Sequence, residues 1–76
     1  MITSHYNETY ITDHVQRFNQ ATAQGKHALA VDSLWRISSN ADLHSIEQLN
    51  EFTRNGMPEN IQTDIIAWCR LQGFDI

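Results

Sequence analysis

The chain has 76 residues, a net charge of −4, one cysteine and 41% hydrophobic content, which allows one small domain and excludes a second. Nine acidic against five basic side chains argue against nucleic acid and anionic membranes as partners, because both need clustered positive charge. Cys69 has no second cysteine to pair with, which points to the reducing cytoplasm, and neither a leader segment nor a membrane-length apolar run is expected.

Gly25, Gly56 and Gly73 each close a stretch with helical periodicity. The first predicted helix covers 8–24. Ile11, Val15, Phe18 and Thr22 fall within a narrow arc, Asn7, Thr9 and Thr12 are candidate N-caps, and Gly25 sits where a left-handed residue is wanted. The second, 27–38, puts Ala28, Val31, Leu34, Trp35 and Ile37 on one broad side, with Leu29 pointing elsewhere. A polar turn over 38–41 follows, and Ser39 with Asp42 fits a capping-box-like start to a third helix, 42–54. Its apolar positions, Leu43, Ile46, Leu49 and Phe52, sweep about half the circumference, which predicts contact with two neighbours. Pro58 opens the fourth, 58–72, with Ile61, Ile65, Trp68 and Cys69 on one stripe and Phe74 placed for a Schellman-type ending after Gly73. Short connections between such helices predict an all-α bundle of about four helices forming a single domain, 1–76.

Motifs with a known mechanism are absent. His5, His14, His27 and His44 lack the three- or four-residue spacing that puts two ligands on one helix face, so no metal is expected. Cys69 beside Trp68 reads as a small buried hydrophobe, not a nucleophile. The isolated glycines form no phosphate-binding loop, so neither a cofactor nor an enzyme is expected. A helix-turn-helix using the 42–54 helix, with His44, Gln48 and Asn50 toward base edges, is the alternative. It is weakened because Glu47 and Glu51 would face phosphates with only Arg54 to offset them.

The distribution of charge is more informative than its total. The first 37 residues balance three acidic against three basic side chains. Residues 38–76 carry Asp42, Glu47, Glu51, Glu59, Asp64 and Asp75 against Arg54 and Arg70, which accounts for the whole −4. Tyr6, Tyr10, Leu29, Ile66 and Leu71 fall outside the tight apolar stripes, an excess a small interior has limited means to cover. The expectation is therefore a protein-binding module, an inhibitor, antagonist or adaptor of the kind phage and mobile elements encode. Glu47, Glu51, Glu59, Asp64, Ile66, Tyr6 and Tyr10 are its candidate contacts, and a basic, nucleic-acid-binding surface or a second copy of the chain its candidate partner.

Overall fold

In the computed structural model, which describes residues 6–76, Asn7 opens α1 (Glu8–Ala23). Its extended backbone lets the side-chain oxygen accept the Tyr10 amide at 2.9 Å, which satisfies one of the helix's free N–H groups. Of the other candidate caps, Thr9 and Thr12 lie inside the helix. α1 ends in a Schellman motif: Lys26 N donates to Ala21 O at 2.8 Å and Gly25 N to Thr22 O at 3.1 Å.

α2 (His27–Asn40) corrects the predicted boundary, for it continues two residues past Ser38 through most of the expected turn. Its end is another Schellman motif, with Leu43 N donating to Ser38 O at 3.0 Å and Asp42 N to Ser39 O at 3.3 Å. Asp42 takes the left-handed position, φ +56°, and so terminates α2 where the pairing of Ser39 with Asp42 had it opening the next helix. α3 (Ile46–Asn55) begins four residues later than predicted. The reason is local, since Ser45 and Gln48 form a complete capping box: Gln48 N donates to Ser45 Oγ at 3.2 Å and Ser45 N to Gln48 Oε1 at 2.9 Å. Because Asp42 is the only described non-glycine with positive φ, thermal unfolding should rank position 42 in the order Gly above Asp above Val. Asp42→Gly gains about 0.5 kcal/mol, the left-handed strain relieved less the extra freedom of the unfolded chain. An Asp42→Val protein as stable as wild type would contradict this.

α4 (Glu59–Leu71) closes as expected, with Phe74 N donating to Cys69 O at 2.9 Å and Gly73 N to Arg70 O at 3.0 Å. The helices thus number four, with no strand among the described residues. α1 and α2 form an antiparallel hairpin, joined by three residues at one end and at the other by Asn7 N donating to Asn40 Oδ1 at 2.8 Å. The backbones of α3 and α4 approach α2, not each other. The core takes Ile11 and Val15 from α1, Leu34 and Ile37 from α2, Met57 from the α3–α4 connection, and Ile65 and Cys69 from α4. Extents of 38 × 29 × 18 Å show a flat molecule, whose thin dimension matches two helix layers.

α3 covers less of this core than its apolar spacing predicted. Leu49 is buried and Phe52 half-buried, but Leu43 lies before the helix and Ile46 is 59% exposed. What fastens α3 is polar in part: Trp35 Nε1 donates to Leu49 O at 2.9 Å, and Ser38 Oγ shares a 2.6 Å hydrogen bond with His44 Nδ1 just ahead of the helix. His44 also stands edge-on to Phe52, with ring centroids 5.6 Å apart. It therefore sits in the connection, half-buried, and not on the α3 face where the helix-turn-helix alternative needed it.

Candidate functional site

The carboxylates of the C-terminal half differ in what holds them. Glu51 accepts from Arg54 Nη2 at 2.9 Å and from Asn55 Nδ2, and these two bonds, Arg54 first, lower its pKa. Glu47 and Glu59 stand exposed in the first turns of α3 and α4, where a negative charge complements the helix dipole, and Asp64 lies on the outer side of α4. None of these last three forms an ion pair among the described residues. On α3, Glu47, Asn50, Glu51 and Arg54 share one exposed stripe at helical spacing, with Ile46 beside Glu47. On α4, Asp64, Ala67 and Leu71 likewise share an exposed face, and Leu71 is 83% exposed. Ile46 has the spacing of a core residue from Leu49, yet at the first position of α3 it is exposed, which its spacing alone does not reveal.

The other candidate contacts lie elsewhere. The Tyr6 ring packs edge-on against Trp68 and Phe74, with centroids 5.1 and 5.8 Å away, and its hydroxyl donates to Gln72 Oε1 at 3.4 Å. Ile66 is half-buried against the core. Tyr10 is half-buried, packed against the core and also lining the groove between α1 and α2. The structure therefore sorts the seven residues into an acidic pair of helix faces and three groups that flank the core, of which Tyr10 also lines a separate groove.

That groove, about 720 Å³ and open, runs along the seam of α1 and α2, and every residue that lines it lies between Tyr10 and Arg36. Two exposed ion pairs edge it, Arg17 to Asp13 at 2.9 Å on α1 and Arg36 to Asp32 at 2.9 Å on α2. On its floor His14 is 8% exposed, 4.4 Å from the Tyr10 ring, and its Nδ1 is buried with no hydrogen-bond partner. Burial depresses the His14 pKa below 6.5, and that effect outweighs Asp13 and Asp32, which pull upward against Arg17 and Arg36.

This carries a pH dependence. A histidine whose folded pKa lies below its unfolded value binds a proton more readily when the chain is open. Its neutral form therefore favours folding fully above pH 6.5, and that contribution is lost as pH falls through the depressed folded value. Urea titrations from pH 8 to pH 5 should show His14→Leu losing less stability on acidification than wild type. At pH 8 the variant should be no less stable, because an unpaired buried nitrogen costs about 1–3 kcal/mol. Equal slopes for both proteins would refute it.

Cys69 is fully buried between core neighbours, and burial pushes its thiol up to about 11, which keeps it protonated near neutral pH. His14, His27 and His44 do not converge with acids or with Cys69 into a group of three potential ligands among the described residues, and His5 lies outside those residues. No helix is long and apolar enough to cross a membrane among the described residues. No family model matches this chain, and neither does any curated protein or solved structure.

Proposed function

We propose that this protein is a binding module that docks on a basic surface of another protein, in the cytoplasm, as an inhibitor, antagonist or adaptor. The observation that carries the reading is the pairing of charge. Arg17, Arg36 and Arg54 are each tied to an acid on their own helix, whereas Glu47, Glu59 and Asp64 stand exposed with no ion pair among the described residues. Glu47, Glu59 and Asp64 thus outnumber Arg70, the cation of α3 and α4 outside an ion pair among the described residues, and this excess of negative charge can steer a basic partner, acting mainly on the association rate. Ile46 beside Glu47 and Leu71 on the Asp64 face supply apolar area that a docked surface would cover.

The test is affinity capture from native extract with wild type and with E47Q/E59Q/D64N, the fold of each checked by circular dichroism. The reading expects a protein retained by wild type at low salt, released by raised salt, and retained at least tenfold less by the variant. Equal retention by both removes the acidic faces from the interaction. A duplex DNA arm addresses the helix-turn-helix alternative: DNA retained at low salt, with no protein captured, would displace the present reading.

A further inference from the structure

The face of the α1–α2 hairpin turned away from the core carries a charge pattern that is its own complement. Counting outward from the connection, Asp13 lies ten residues before Ala23 and Arg36 nine after His27; Arg17 lies six before and Asp32 five after. In an antiparallel pair, residues at similar distances from the turn stand at similar levels, so Asp13 and Arg36, and likewise Arg17 and Asp32, lie within about one residue's rise of each other by this count, and all four charges act on His14 between them. By the same count Ala21, two before the turn, is level with Leu29, two after it. The result is a checkerboard of two positive and two negative side chains, and beside it an exposed leucine level with a small, buried alanine.

We propose that this face is the interface of a homodimer whose twofold axis runs parallel to the helices along the groove, so that α1 of each copy lies over α2 of the other. That operation keeps every residue at its own level and exchanges the two helices. Each Asp13 then meets the partner's Arg36, each Arg17 meets the partner's Asp32, and each Leu29 caps the partner's Ala21. A twofold axis perpendicular to the helices would also match the charges, but it would carry Leu29 to the opposite end of α2, away from Ala21. The contact is isologous and closes at two copies. Leu29, 56% exposed in the single chain, gains apolar neighbours, and the groove floor around the unpartnered His14 Nδ1 is covered. Two helix widths over the 16 residues of α1 amount to about 450 Å² per copy, roughly 900 Å² in total, which is the size of a weak, reversible interface. The acidic faces of α3 and α4 take no part, so this inference and the proposed function stand or fall separately.

Sedimentation equilibrium of the full chain from 10 µM to 1 mM, in 50 mM and 500 mM NaCl, tests it. Wild type is expected to dimerise within this range at low salt and to shift toward monomer at least fivefold at high salt. Arg36→Asp and Asp13→Arg each place like charges against each other and are expected to be monomeric alone. Mixed together, the two variants set the introduced carboxylate of one copy against the introduced guanidinium of the other, while the native Asp13 of the first meets the native Arg36 of the second, and the dimer returns. Leu29→Asp should weaken association without disturbing the circular dichroism spectrum. A wild type that stays monomeric at 1 mM and low salt overturns the proposal, as does a dimer indifferent to both charge reversals. If the mixed charge variants remain monomeric while each is folded, the proposed register is wrong.

Discussion

Leu34→Ala is expected to lower the thermal midpoint by roughly 12–24 °C. Leu34 is fully buried, in one cluster with Ile11, Val15, Ile37, Met57, Ile65 and Cys69, so truncation loses transfer free energy and leaves a cavity. Leu→Ala changes at such sites cost about 2–5 kcal/mol, and ~3 kcal/mol in a domain of this length gives that midpoint shift. A chain of 76 residues has only ~4–11 kcal/mol in total. Leu71→Ala is the control: the same chemistry at an 83% exposed site should change stability by less than ~0.5 kcal/mol. Similar losses from the two variants, measured by calorimetry, would show that the core is not where the structure puts it.

Gly56→Ala should cost about 2–3 kcal/mol although a methyl group there would meet nothing within 4 Å. The cause is backbone conformation. Gly56 has φ +87° and ψ 156°, a region that only glycine occupies readily, whereas the left-handed Gly73, φ +94°, closes a Schellman motif. The chain cannot easily relax around an alanine at 56. Gly56 N donates to Phe52 O at 2.8 Å, the next residue, Met57, is buried in the core, and Gln62 Nε2 donates to Met57 O at 2.8 Å. Gly73→Ala, at the left-handed position of a Schellman motif with open space for a methyl group, should cost nearer ~1 kcal/mol. A D-alanine introduced at position 56 by chemical synthesis, which accepts positive φ, should restore or exceed wild-type stability. If D- and L-alanine destabilise equally, steric crowding and not backbone strain is responsible.

Much of the acidic surface was legible in the sequence, because charge in helices so short has little interior to hide in. Glu47, Glu51, Glu59 and Asp64 are all exposed as expected. Which of them are free was not legible. Glu51 has Arg54 at helical spacing, but the accompanying Asn55 bond and the absence of ion pairs at Glu47, Glu59 and Asp64 among the described residues are facts of three-dimensional placement. The groove was harder still to anticipate. His14 sits only three residues from Ile11 and one from Val15, yet it faces the α2 helix across the seam, and nothing in its own segment says what lies opposite.

Local chemistry determined the helices and most of their ends. Gly25 and Gly73 close Schellman motifs because glycine alone takes positive φ without strain, and Asn7 caps α1 because its side chain can return to the Tyr10 amide. Periodicity likewise placed Ile11, Val15, Leu34, Ile37, Ile65 and Cys69 inside, since each recurs on one helix face. The boundary between α2 and α3 was a competition. Ser39 with Asp42 and Ser45 with Gln48 both offered a helix start, and Asp42 was drawn into ending α2, where Leu43 completes the Schellman motif and His44 is held by Ser38. Tertiary packing alone decided the fate of Tyr6, Tyr10 and Ile66, because an apolar residue off its helix's main stripe is covered or exposed according to what packs beside it. Trp68 and Phe74 cover Tyr6, and the core draws in Ile66 and Tyr10, whereas Leu29, Ile46 and Leu71 find no such neighbour and stay in solvent.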